Sequence, residues 1–206
     1  MIIIDKSDFV GKGNHREVYK HPNDPQLCLK VNISSDLTTR EKREQLREKS
    51  YYNLLQKKGV NFTMLPAYHG DLETSLGMAS VFDLISDTDG STSRTLGYYL
   101  QSEELTQQNY EGLLSSLSQL KNYLLSQKII VRGLAHRNIV CQRNETGIFR
   151  LAIVDNIGNS EFIPISNYID FLAERKIHKK WKRFEKRQLE EFTENSALRK
   201  IFDALS

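Results

Sequence analysis

The sequence predicts an α+β fold in which an antiparallel sheet with one helix is followed by a small, mainly helical half. Three observations predict it. Residues 9–31 alternate in the manner of short strands broken by turn residues, and residues 36–58 change to a helical period with a solvated face. Past a polar run, SDTDGSTS, Leu113, Leu117, Leu120 and Leu124 recur at four, three and four residues, the stripe of a core-facing helix.

Taken in order, the first strands are interrupted by GKGNHR and then by HPNDPQ, where two prolines with Asn23 and Asp24 favour a turn. The helix over 36–58 carries Leu46, Tyr51, Leu54 and Leu55 among Glu, Lys, Arg and Gln, and Gly59 closes it. AYHGDLE and MASVFDLI read as two further strands joined near Gly77. The polar run after them places a hinge, so the expected division is a sheet-bearing lobe over 1–86 and a helical lobe over 87–206. Thr106 is expected to cap the leucine-striped helix. KIIV and NIVCQ read as short buried strands, RNETG as a hairpin turn and FRLAIVD as the returning strand. From Ile165 onward the pattern is helical, with Trp181, Phe184, Leu189, Phe192 and Leu198 to pack.

Composition bounds the function. A chain of 206 residues with 39% hydrophobic and 27% charged residues can bury a sizeable core. Its net charge of +3 is too small to imply a nucleic-acid partner. MIIIDKSD is too short an apolar run for a signal-peptide core, and no stretch of eighteen apolar residues exists, so a cytoplasmic protein without a membrane span is expected. Cys28 and Cys141 have no metal-type neighbours and are expected as buried free thiols.

Several short features carry possible chemistry. Gly11 and Gly13 between strands would let backbone N–H groups approach phosphate oxygens, with Val18 covering a base; the alternative is an ordinary hairpin turn. Lys30 interrupts the apolar strand LCLKV, where an ammonium needs an anion unless it snorkels from an edge. Glu48 on the following helix is the favoured partner, with Glu44 and Glu41 as competitors. Within the catalytic-loop-like region 129–158, Asn138 precedes the strand IVC and Asp155 ends the returning strand, so hard oxygen donors at the two ends of a hairpin could hold Mg²⁺ beside phosphates, or could simply cap backbone groups.

The order of these features resembles that of a protein kinase. More closely, GKGNHREVYKHPNDPQLCLKV, YHGDLET, DTDG, NIVC, VDNIG and WKRF are similar to the YrbL family, the PhoP regulatory network proteins of enterobacteria. The resemblance runs from about Gly11 to Phe184. It implies a minimal two-lobed protein-kinase-like fold in a cytoplasmic bacterial protein tied to the low-magnesium response. ATP and Mg²⁺ are the implied cofactors, with Gly11, Gly13, Arg16, Val18, Lys30 and Glu48 at the nucleotide and Asn138 and Asp155 at the metal.

The departures from that pattern bear on catalysis. A kinase catalytic loop has the base Asp five residues before its Asn, and here that position is Gly133. Ala135 stands where a cation commonly meets the γ-phosphate, and Arg16 replaces the third glycine of the phosphate loop. His136 is the remaining candidate for a catalytic group in the loop, against a spacer role. DNIG is one residue longer than Asp-Phe-Gly, and little chain follows Gly158. The run ERKIHKKWKRFEKR has eight Lys or Arg against two Glu, a solvated face or a surface for an acidic partner, anionic lipid or RNA.

The expectation is therefore an ATP- and Mg²⁺-binding regulatory protein with slow or no phosphotransfer. Two alternatives stand beside it: an active phosphotransferase with a non-standard base, and a basic adaptor without nucleotide. A protein partner or protein substrate remains open, and a nucleic acid is not expected.

Overall fold

Strand β3 (Asp24–Asn32) sets the architecture through its period of two. Leu27, Leu29 and Val31 face one side, where they join Tyr19, Ala79 and Val81 in a small apolar cluster. Cys28 and Lys30 face the other, towards the helix that follows and the main core. The computed structural model of the chain describes residues 1–34, 36–159 and 165–205.

A five-stranded, wholly antiparallel sheet forms in the order β1 (Phe9–Lys12), β2 (Arg16–His21), β3, β5 (Gly77–Asp83) and β4 (Tyr68–Thr74). Helix α1 (Thr39–Lys57) connects β3 to β4. Thr38 and Glu41 form a capping box at its start: the Thr38 hydroxyl accepts from Glu41 N at 3.2 Å, and the Glu41 carboxylate accepts from Thr38 N at 2.7 Å. Glu48, Tyr51, Tyr52 and Leu55 form its buried side. Leu46, expected among the packed residues, is 63% exposed because it lies off that face.

A smaller sheet pairs β6 (Arg94–Thr95), β7 (Ile139–Asn144) and β8 (Gly147–Ile153). Around it lie α2 (Leu96–Leu100), α3 (Glu103–Gln108), α4 (Tyr110–Ser126), α5 (Asp170–Glu191) and α6 (Ser196–Ala204). Leu113, Leu117, Leu120 and Leu124 of α4 are all buried in the main core with Trp181 and Phe184 of α5. Gly112 lets α4 approach β8, since a Cβ there would stand 2.5 Å from the Ile148 carbonyl oxygen. No described helix is long and apolar enough to cross a membrane.

Two expected elements differ. Thr106 does not cap the leucine-striped helix: Ser102 caps the separate α3, and α4 begins at Tyr110 after a break at Asn109. Thr106 is instead fully buried, donating to the carbonyls of Tyr99 at 2.8 Å and Ser102 at 3.0 Å. KIIV forms no strand ladder, although Ile129, Ile130 and Val131 are buried; Val131 makes only an isolated bridge to Ile157. Ile130 N donates to the Tyr51 hydroxyl at 2.7 Å, so a side chain from α1 takes the place of a neighbouring strand.

Cys28 and Cys141 are both buried free thiols. Burial pushes the Cys28 thiol up to about 11 and raises that of Cys141 as well, which keeps both protonated at neutral pH.

Buried Asn195 fastens the last helix: its amide donates to Leu100 O at 2.9 Å and to Thr106 Oγ1 at 2.7 Å, and its oxygen accepts from Leu198 N at 2.9 Å. Asn195→Ala removes three buried hydrogen bonds and is expected to destabilise the protein by about 2–3 kcal/mol. Leu46→Ala, at an exposed site, is expected to stay within about 0.5 kcal/mol of wild type. Urea unfolding midpoints at constant slope measure both.

Candidate functional site

A cleft of about 520 Å³ opens between the five-stranded sheet, α1 and the ends of the β7–β8 hairpin. That volume lies in the range of small-ligand sites. Gly11, Gly13, Arg16, Val18, Lys30 and Glu48 line it from one side, and Asn138 and Asp155 from the other. Residues more than a hundred positions apart in sequence thus share one cavity.

The charge pairing differs from the expected Lys30–Glu48 contact. Arg16 Nη2 lies 2.9 Å from Glu48 Oε2 and 3.1 Å from Asp155 Oδ1, one guanidinium joining two carboxylates from opposite walls. Lys30 Nζ donates to Val154 O at 2.6 Å and sits 4.4 Å over the Phe82 ring. A backbone carbonyl and an aromatic face therefore solvate this buried ammonium, while the planar, multi-donor guanidinium takes the buried Glu48. Glu44 turns to Arg132 and Arg40, and Glu41 to His15 and Thr38.

Burial acts to raise the Asp155 carboxyl, but the charges of Lys30 and Arg16, the Asn156 backbone N–H and Arg132 together outweigh it and hold the group below its ordinary value. Asp155 is thus a carboxylate at neutral pH. The backbone beyond it turns through Asn156, whose φ is 62°, and Gly158, whose φ is 117°. Arg132 N donates to Asn156 O at 2.8 Å and Gly158 N to Ile130 O at 3.0 Å, which pins the extra-length DNIG segment against residues 130–132. On the neighbouring strand Val154 N donates to Asn138 O at 2.9 Å.

Among the cleft-lining groups without a partner among the described residues are two neighbours in sequence. Asn138 Nδ2 is buried without a hydrogen-bond partner, a cost of about 1–3 kcal/mol unless something meets it. Arg137 is exposed, lines the cleft, and has no ion pair or hydrogen bond among the described residues. Sequence reasoning missed Arg137; the signal was a cation directly beside the asparagine of the loop. Gly11 and Gly13 both have ordinary φ, and a Cβ at Gly11 would meet nothing within 4 Å. The fold alone accounts for neither glycine.

The remaining candidates lie elsewhere. Gly133 lines a second cavity beside α5. His136 does not line the cleft: its Nδ1 is 2.8 Å from Gln188 Oε1 and 3.5 Å from Glu191 Oε2, and its ring packs edge-on against Phe192 and close to Gly97. This is a packed, hydrogen-bonded histidine between helices. No group of three or more His, Cys, Asp or Glu capable of holding a metal occurs among the described residues. A cation in the cleft would draw on the Asp155 carboxylate and the Asn138 amide, a hard oxygen set suited to Mg²⁺, and would share Asp155 with Arg16.

Fold and site together define an α+β protein with a charged, ligand-sized cleft between an antiparallel sheet and a hairpin of its helical half. The chain belongs to the family described as PhoP regulatory network protein YrbL, whose family model matches residues 2–189. It is 34% identical over 185 residues to the YrbL proteins of Escherichia coli (strain K12) and Shigella flexneri, a match spanning 89% of this chain and 86% of each relative.

Arg16→Ala leaves the nearly buried Glu48, 4% exposed, without its cation, and is expected to cost about 3–5 kcal/mol. The double change Arg16→Met with Glu48→Met is expected to recover most of that loss. Chemical denaturation of the two variants and wild type reads the difference.

Proposed function

We propose that the cleft is a nucleotide site of the protein-kinase type, that it binds ATP with Mg²⁺, and that binding rather than turnover is its output. The observation carrying this reading is the convergence of eight residues on one cavity. They occur in sequence in the order of a kinase's phosphate loop, strand lysine, helix glutamate, loop asparagine and metal aspartate. The orphaned Asn138 amide and the unpartnered Arg137 add support, because both offer unsatisfied contacts to an incoming polar ligand.

Each residue has a role in this reading. Val18 and Cys28 offer apolar surface for the base, and Gly11 and Gly13 allow the triphosphate to approach the backbone. Lys30 and Arg137 supply positive charge to the phosphates. Asn138 and Asp155 would hold the metal through oxygen, and the metal would supply positive charge against the phosphates. Arg16 holds Asp155 from the Glu48 side and would share that carboxylate with the metal.

Turnover is disfavoured on the same geometry. The base position, Gly133, carries no acceptor and faces the neighbouring cavity; Ala135 carries no charge; His136 is engaged by Gln188. The family's description as a regulatory network protein fits a binding output. Buried free thiols fit a reducing, cytoplasmic compartment.

MgATP is expected to raise the thermal transition, corresponding to about 2.7 kcal/mol at a hundredfold excess over Kd. Lys30→Ala, Arg137→Ala and Asp155→Ala are each expected to weaken the effect, and a melt unchanged at millimolar MgATP would refute the site. Radiolabel transfer from ATP is expected to lie far below the roughly 1–100 s⁻¹ of kinases. Efficient transfer that Asp155→Ala abolishes would establish an active phosphotransferase instead.

A further inference from the structure

The second cavity, about 710 Å³, runs between α5 and the loop at 132–134. Its lining is cationic: Arg132 on the loop side and Arg175, Lys179, Arg183 and Arg187 along the helix, with no carboxylate among the described lining residues. The four helical cations stand four residues apart, so they form one row at about 6 Å intervals, roughly 18 Å long. All four are exposed and have no ion pair or hydrogen bond among the described residues.

This surplus is not a by-product of a generally basic helix. The glutamates of α5 serve other contacts: Glu174 pairs with Lys128, Glu185 accepts from Trp181 Nε1, Glu190 pairs with Lys186, and Glu191 approaches His136. None is left to neutralise the row, although like charges at this spacing repel. The walls are fixed in place as well. Lys180 donates to Arg132 O and Lys176 to Asn159 Oδ1, while Ala173, Ile177, Trp181 and Phe184 anchor the opposite side of the helix in the core.

We propose that this groove is a docking site for an extended acidic segment of a partner protein, with carboxylates at alternate positions. In an extended chain, side chains on one face recur about every 6.8 Å, which matches the helical row closely enough for successive carboxylates to meet Arg175, Lys179, Arg183 and Arg187 in turn. Arginine at three of the four positions offers forked, two-point bonding to carboxylates. A membrane surface fits poorly, because the face of α5 that would have to insert is the one already buried in the core. A single-stranded nucleic acid fits poorly too, because such grooves stack bases on aromatic rings and the one aromatic among the described lining residues, Phe184, is 1% exposed. The proposal does not rest on nucleotide binding in the cleft.

Fluorescence anisotropy on the full chain tests it, using a labelled peptide of alternating Glu and Ser, the corresponding Lys and Ser peptide, a single-stranded RNA and anionic vesicles as separate probes. The acidic peptide is expected to bind, to weaken with added salt, and to lose at least tenfold in affinity in Lys179→Glu with Arg183→Glu. The milder Lys179→Ser with Arg183→Ser should show a smaller loss with an unchanged thermal melt, and Lys30→Ala should leave peptide binding intact. Acidic-peptide binding that is absent at millimolar concentration, insensitive to both double variants, or weaker than binding of RNA or vesicles would overturn the proposal.

Discussion

The Arg16 guanidinium ties together three parts of the chain that have little else in common. It projects from β2, takes Glu48 from α1, and takes Asp155 from the segment after β8. A carboxylate as buried as Glu48 needs a charged partner, because the alternative is a desolvated ion at a cost of several kcal/mol. Once that partner is fixed, the position of α1 against the sheet and the position of the hairpin's end against α1 are fixed with it. Tyr51, three residues beyond Glu48, reinforces the joint from the same helix by accepting from Ile130 N and packing against Gly158.

The choice of Arg16 over Lys30 follows from reach and hydration. Arg16 Nη2 meets both Glu48 and Asp155, and a guanidinium, more weakly hydrated than an ammonium, suits a buried ion pair. Lys30 is then left in a buried strand with a carbonyl and a ring face for company, at a short remove from Asp155, whose carboxylate it still stabilises. The sequence offered no way to see this. Arg16 stood out only as the residue replacing a third glycine, and its side chain had no visible destination until the hairpin end was brought across the cleft.

What could be read locally was read well. The alternation of β3, the helical period of α1, the leucine stripe of α4 and the hairpin at RNETG are all encoded within a few residues, and each forms where its pattern places it. What failed depended on distant contacts. Thr106 has the chemistry of a cap, but Asn195 and the carbonyls of Tyr99 and Ser102 claim its hydroxyl inside the core. KIIV has strand composition, yet Tyr51 satisfies its backbone instead of a neighbouring strand. His136 has the chemistry of a proton carrier, and Gln188, far along the chain, holds it away from the cleft. The candidate cleft was legible as a set of residue types in a recognisable order, but its pairing and its unsatisfied groups were not.

Charge shows the same division between local and distant information. A net charge of +3 is nearly neutral for a chain of this length, and as a sum over the molecule it argues against any strongly electrostatic partner. The sum conceals how the charges are spent. The carboxylates Glu48, Asp71, Asp83, Asp155 and Glu174 each have a cationic or histidine partner inside the fold. Arg137 in the cleft and the Arg175-to-Arg187 row in the groove do not. Acids consumed internally cannot screen cations that face open space, so the α5 groove survives as a positive surface, and Arg137 as an unpaired cation on a cleft whose described lining carries as many carboxylates as cations. Within a Debye length of about 8–10 Å those local charges, and not the net charge, set what an approaching anion meets.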